Sequence, residues 1–379
     1  MARINRYNSE PFGAPRRRER RSLLASLGVI LLMAVSITLV IALLMAYATP
    51  YINPANYGSL TIVGIFAPML YIMLVVCMML WAIMQRWIYA LVLLVVLLPG
   101  AFRISDFYNV NIHREVEPER DRRAFTLMSY NLRGFRDDSQ VQRASDFVDY
   151  MLSLERMPDV VCLQELQRDA RGIDRLDSLF DSYHSYQTVE TEYSHIVTYS
   201  RYPIIRRGEI AGESRGTSQW CDVVVRQDTL RIFNNHLYTM NITSTDSNDI
   251  SDGNILQDGD RMASIVRRIA SNSAIRAEHV DTLRMVMDAT PYEYVACGDF
   301  NDTPMSYVYR RMSRKLDDSF VEGGRGYGYT FRPMHSLLRI DYILHSRGLT
   351  TKEYSADTDF EMSDHLPITA RIRVEQEDK

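Results

Sequence analysis

Several short stretches of this chain end in side chains that can hold a cation or move a proton. Asn131 closes the apolar run 125–130, and Glu165 follows 160–163. His236 ends 230–235, and Asp299 and Asn301 follow 294–298. Asp341 lies inside RIDYIL, and Ser363, Asp364 and His365 stand together near the C-terminus. The set consists of carboxylates, amides and two histidines, with no nucleophile in an activated setting. Such donors suit a hard, oxygen-liking cation such as Mg²⁺ or Mn²⁺ and not a thiolate or three-histidine zinc site. They also suit attack by water on phosphorus. Singly, each residue has an ordinary explanation, because Asp and Asn after a strand are frequent turn formers. The repetition of one pattern at separate strand ends is what points to a shared site.

The elements that must position these groups read as short strands mixed with helices. The runs 125–130, 160–163, 193–200, 220–226, 230–234, 294–298, 339–344 and 366–374 have strand length and composition. Residues 141–157 carry apolar side chains at helical spacing, and 260–288 reads as mostly helix. Residues 238–259 read as a long polar loop. Cys77, Cys162, Cys221 and Cys297 form no disulfide framework and read as small buried hydrophobes. His184, His195, His279, His335 and His345 read as structural or exposed.

In order, SYNLRG (129–134), LQE (163–165), SRYPI (200–204), NNHL (234–237), GDFN (298–301), RIDYIL (339–344) and SDHLP (363–367) resemble the endonuclease/exonuclease/phosphatase family. Deoxyribonuclease I and the neutral sphingomyelinases belong to that family. The resemblance covers about 124–374 and implies an α/β fold: a four-layer sandwich of two packed mixed β-sheets with outer helices. It implies a metal site at Glu165, supported by Asn131 and Asp364. It assigns Asp299 as the general base and Asn301 to the water or a phosphate oxygen. His365, steadied by Asp341, would contact the phosphate, and His236 would donate to the phosphate or leaving group. Asn235 stands where the family usually has Thr.

The charge distribution is uneven. Of 43 basic and 47 acidic residues, nine and two fall in 1–104, which leaves 34 and 45 in 105–379, a net of −11. That balance argues against a tight, non-specific grip on DNA, which draws on Lys and Arg contacts to phosphate. Residues 1–22 are polar and include the basic run Arg16–Arg21; three apolar runs follow at about 23–48, 60–84 and 87–102. Two or three transmembrane helices are expected, since a span needs about 20 residues. The basic N-terminus should stay cytoplasmic. Three crossings would place the catalytic domain, 124–379, outside the cytoplasm, behind a linker at 105–123. The expected protein is therefore an integral membrane, metal-dependent phosphodiesterase. Its substrate would be nucleic acid or, alternatively, a phospholipid head group. An inactive membrane scaffold of the same fold is the third possibility, and no protein partner is evident.

Overall fold

The computed structural model describes residues 23–111, 123–136, 144–192, 194–210, 216–242, 244–252, 254 and 258–375. The basic run 16–21 therefore lies outside the described residues. Two six-stranded mixed sheets pack face to face. The first has the spatial order β13 (Leu349–Ala356), β14 (Ile368–Val374), β2 (Ala124–Asn131), β3 (Val160–Gln167), β5 (Ser194–Ser200), β4 (His184–Val189). The second runs β10 (Leu316–Asp318), β12 (Asp341–Ser346), β9 (Tyr294–Asp299), β8 (Asp228–His236), β7 (Thr217–Val225), β6 (Ile204–Glu209). Each sheet is antiparallel except for one central parallel pair, β2 with β3 and β8 with β9. These central strands are apolar on both faces because each sheet is covered on both sides.

Between the sheets lies a core that includes Leu127, Val160, Val223, Ile232, Val295, Ile343 and Ile368, together with Cys162, Cys221 and Cys297. All four cysteines are buried free thiols. Outside the first sheet pack α6 (Ala144–Ser153) and α7 (Ile173–Leu179); their apolar faces meet Met128, Tyr130, Val161 and Val197. Outside the second pack α9 (Gly259–Asp288) and α10 (Tyr307–Met312). The long polar segment 238–259 is not wholly loop: Ser244–Ser251 forms helix α8.

The N-terminal region differs from the expectation of two or three spans. Helix α1 covers Leu23–Ala48, and among the described residues one helical stretch, Ser26–Tyr51, is long and apolar enough to cross a membrane. The run 60–84 is divided. It forms α3 (Leu60–Ile65), breaks at Phe66, and resumes as α4 (Ala67–Ile83), with a proline in its first turn. Pro68 has no N–H to donate back into the preceding turn. Helix α4 has 17 residues and α5 (Trp87–Ala101) has 15. Seventeen residues rise about 25 Å, short of the ~30 Å hydrocarbon layer.

The three apolar helices lie antiparallel in sequence order. Trp81 Nε1 donates to Ser36 Oγ at 3.0 Å, and Trp81 packs on Tyr89. At the other end Tyr47 Oη donates to Val96 O, and Tyr71 Oη to Leu97 O. That second end docks on the sandwich. Thr49 Oγ1 donates to Met305 O at 2.6 Å, and Arg310 stacks over the Tyr51 ring. The short helix α2 (Pro54–Tyr57) and α3 rest on α9, where Gly58 lies so close that an added Cβ would sit 2.6 Å from Ala270 O.

The expected linker at 105–123 begins as built structure. Strand β1 (Tyr108–Asn109) pairs with β11 (Gly326–Tyr327). Asn109 and Asn111 donate to backbone carbonyls at Phe320 and at Glu322 and Gly324, in and just after α11 (Ser319–Gly323). Residues 112–122 of the linker lie outside the described residues.

Candidate active site

Strand register aligns the chemistry. Asp299, at the end of β9, lies opposite His236 on β8 and opposite Asp341 on β12. Three adjacent strands thus present two carboxylates and an imidazole at one edge of the second sheet. The first sheet contributes from its own parallel pair, where Asn131 is in register with Gln164. Glu165 follows at a register shift between Leu163 and Leu166, with φ of 52°. A bulge with left-handed backbone turns a side chain away from the strand's alternation, and here it sends Glu165 toward the other sheet. Gly298 makes the close approach of β8 and β9 possible: its φ is 127°, and a Cβ there would lie 1.9 Å from Asn235 O.

Asp299 is the hub. Its Oδ2 accepts from Asn131 Nδ2 at 3.1 Å and from Asn301 Nδ2 at 2.9 Å; its Oδ1 accepts from Asn301 N at 2.8 Å. Two imidazoles flank the same oxygen, with Nε2 of His365 at 3.6 Å and Nε2 of His236 at 3.7 Å. Each imidazole is backed by its own carboxylate. Asp341 Oδ2 lies 2.9 Å from His365 Nδ1, and Glu190 Oε1 lies 2.7 Å from His236 Nδ1. Phe331 meets the His365 ring edge to face.

Glu190 was not among the residues singled out from the sequence. It follows directly on β4, whose mostly polar, exposed side chains give no apolar run for it to close. Its Oε2 accepts from Glu165 N at 3.2 Å and from Ser194 Oγ at 2.6 Å. It therefore fixes both the bulge that carries Glu165 and the ring of His236.

The electrostatics follow from burial and pairing. Burial alone would lower the His236 pKa, but Glu190, then Glu165 and Asp299, raise it to about 10. Burial likewise works against protonated His365, and Asp341 with Asp299 overcomes it, so its pKa lies well above the ordinary value. Burial raises the Asp299 carboxyl to about 6; His365 and His236 pull it down, and Asp341 pushes it up. Burial would raise Glu190 as well, yet His236 brings it below the usual carboxylate range. Both imidazoles are therefore cationic at neutral pH, with an ionised Asp299 between them.

The expected residues fall into three groups. Asn131, Glu165, His236, Asp299, Asp341 and His365 converge, and Asn131 Nδ2 bridges Asp299 and Glu165 Oε1. Asn301 is present but occupied: its Nδ2 also donates to Leu237 O, and its Oδ1 accepts from Met240 N. Its amide thus holds Asp299 and the turn after β8. Asp364 sits further out, 3.4 Å from Arg133 Nε, while the neighbouring Ser363 Oγ donates to Asn131 O at 2.8 Å.

Two donor groups could take a cation. Ligand atoms of Asp299, Asp341 and His365 lie within 4.8 Å of one another. Asp341 and His365 are already hydrogen-bonded to each other, however, so that trio is better described as a dyad beside a carboxylate. Glu165, whose side chain is 37% exposed, has Asn131 Nδ2 at 3.1 Å and His236 Nε2 at 3.6 Å from Oε1. Counting charge supports a cation there. Four carboxylates (Glu165, Glu190, Asp299, Asp341) face two imidazoles, and two negative charges remain even with both rings protonated. Buried charge is costly unless it is balanced, and a divalent cation supplies that balance.

Residues 128–365 match the Endonuclease/Exonuclease/phosphatase family. The chain belongs to that family. A second match, residues 21–107, is to a domain of unknown function (DUF8431). No curated protein matches the chain. Among solved structures, an endonuclease/exonuclease/phosphatase from Beutenbergia cavernae is 18% identical, with a TM-score of 0.48, covering 67% of this chain and 72% of that one. A family protein from Bacteroides vulgatus is 15% identical, with a TM-score of 0.47 over 66% and 99% of the two chains. The human Nocturnin catalytic domain, solved with bound sulfate, is 14% identical, with a TM-score of 0.48 over 66% and 94%.

Replacing Glu190 with Gln should remove the charge that raises His236. In an NMR titration of the imidazole, the His236 midpoint should drop from about 10 toward the ordinary histidine range. An unchanged midpoint would show that Glu190 does not set its charge.

Proposed function

We propose that this chain is a membrane-anchored, divalent-cation-dependent phosphohydrolase that directs water at a phosphodiester. The observation that carries the reading is a buried carboxylate placed between two carboxylate-backed imidazoles at one edge of a family fold. Asp299 accepts the proton of the attacking water, which requires the water within hydrogen-bond reach of Oδ2. Protonated His365 and His236 face the anionic phosphate and stabilise the charge that grows on it. His236 would donate to the leaving oxygen. Asp341 and Glu190 fix the orientation and charge of the two rings. Asn131 and Asn301 hold Asp299 still. Glu165, with Asn131 and Asp364 in support, would hold Mg²⁺ or Mn²⁺, which supplies positive charge at the phosphoryl oxygens.

A nuclease-type substrate is the first reading, from the family. A phospholipid head group is the second. It is favoured by an apolar cluster beside the site in which Ile62 and Ile65 of α3 pack with Met240, Leu338 and Phe331, two of which touch Asn301 and His365. An anchor through α1, the one described stretch of spanning length, with the basic N-terminus kept inside, would put the sandwich, which docks at Thr49 and Tyr51, on the non-cytoplasmic side. A reporter fused after Lys379 should then be active outside the cytoplasm. Activity inside would mean that α1 does not carry the Thr49 end across.

The catalytic reading is tested on full-length protein with plasmid DNA, phospholipid vesicles and a nitrophenyl phosphodiester offered in parallel. Hydrolysis of at least one should need Mg²⁺ or Mn²⁺, and Glu165→Gln should raise the metal requirement. Asp299→Asn should keep the fold and lower kcat by about 10²–10⁴. Full activity in excess EDTA, or near wild-type kcat in Asp299→Asn, would sink the assignment.

A further inference from the structure

Where the helices dock on the sandwich they leave an apolar pocket of about 300 Å³. Its walls include Leu43 of α1, Tyr71 and Ile72 of α4, Ile104 just after α5, and Met305 from the loop that follows Asp299. Arg103 also lines it, 3.4 Å from Asp106. We propose that this pocket binds one acyl chain of a bilayer phospholipid, with the lipid phosphate facing Arg103.

Three observations select that occupant. The lining is almost wholly apolar, which excludes a sugar, a nucleotide or a charged peptide. The exposed lining comprises Ile72 and Ile104, 64% and 44% exposed, and Tyr108 and Tyr327 of the β1–β11 pair, 50% and 37% exposed; on an anchored protein the Ile72 side meets lipid. The guanidinium of Arg103, paired with Asp106, lines the same pocket, and Arg suits phosphate recognition. The inference rests on reading the N-terminal helices as a bilayer anchor.

The position matters because of Met305. It is 4% exposed and packs into the core of the helices. Its carbonyl accepts from Thr49 Oγ1, and the α3 backbone at Gly64 lies so close that a Cβ there would be 2.5 Å from the same oxygen. The loop between Asn301 and Met305 is clamped from the other side by Asp302, which pairs in full burial with Arg276 at 3.3 Å. A chain against Met305 therefore presses on the segment that holds Asn301, and through it Asp299.

The test uses the full-length protein in nanodiscs of phosphatidylcholine and phosphatidylglycerol. These are doped with a phosphatidylcholine that carries a diazirine near the end of one acyl chain. After illumination, cross-links are mapped by peptide mass spectrometry. Adducts should concentrate on the pocket, Met305 among them. Ile72→Trp and Ile104→Trp, each placed at the exposed side to fill it without disturbing a buried residue, should cut pocket adducts about tenfold or more. That is the worth of roughly two methylene groups kept out of the pocket. Adducts confined to the outward faces of α1 and the α4–α5 groove near Trp87, unchanged in both variants, would overturn the site and leave the anchor standing. No adduct on any helix would overturn the anchor and the site together. Pocket adducts on a protein that hydrolyses no phosphodiester would uphold the site and sink the catalytic reading.

Discussion

The site depends on one buried carboxylate held between two cations. Asp299 is 1% exposed, and an isolated charge at such depth would simply protonate. It stays ionised at neutral pH because three N–H donors and two charged imidazoles converge on it. The imidazoles are themselves charged chiefly because Glu190 and Asp341 stand behind them. Each member thus requires its neighbour, and removing one leaves the next as an uncompensated buried group. The fold supplies this arrangement by register. Parallel pairing of β8 with β9 sets His236 beside Asp299, antiparallel pairing of β12 adds Asp341, and the bulge on β3 brings Glu165 across from the other sheet.

The second dependence runs between the helices and the sandwich. Thr49, Gly58, Gly64 and Tyr51 are fitted to the backbone or side chains of α9, α10 and the loop after Asp299. Asn109 and Asn111 then tie the chain after α5 to α11. The apolar region is therefore part of the body that shapes the catalytic loop, and not a tether on a free linker. A fragment starting at 105 would lose the partners of Met305 and expose the α9 surface on which α2 and α3 rest.

Much of the site was legible because the chain repeats one device: an apolar strand that stops at a polar residue. Asn131, Glu165, His236 and Asp299 stand out by it and meet, and Asp341, inside RIDYIL, joins them. Glu190 was missed because β4, HSYQTV, carries mostly polar and half-exposed side chains and lacks the apolar signal of a central strand. Asn301 was expected to face substrate, but its amide is spent on Leu237, Met240 and Asp299, a closure that composition cannot show. Asp364 lies adjacent to His365 in sequence yet turns to Arg133. The continuous hydropathy of 60–84 concealed the break at Phe66, since a proline two residues on interrupts the helix without interrupting the apolar run. The polar tract 238–259 hid α8 for the opposite reason, having no apolar periodicity to display.

The central claim is that Asp299 takes a proton while both imidazoles stay charged, and the pH dependence of kcat/KM on a soluble phosphodiester at saturating Mg²⁺ tests it most directly. Below about 6 Asp299 becomes protonated and can no longer accept, so the rate should fall on the acid side. Glu190 holds the His236 ring protonated above the ordinary histidine range, so no loss should appear at neutral pH. Asp299→Asn should abolish the acid limb along with most of the rate. A profile that stays flat to pH 4, or one that already declines above about pH 6.5 as a histidine of ordinary pKa loses its proton, would contradict the arrangement.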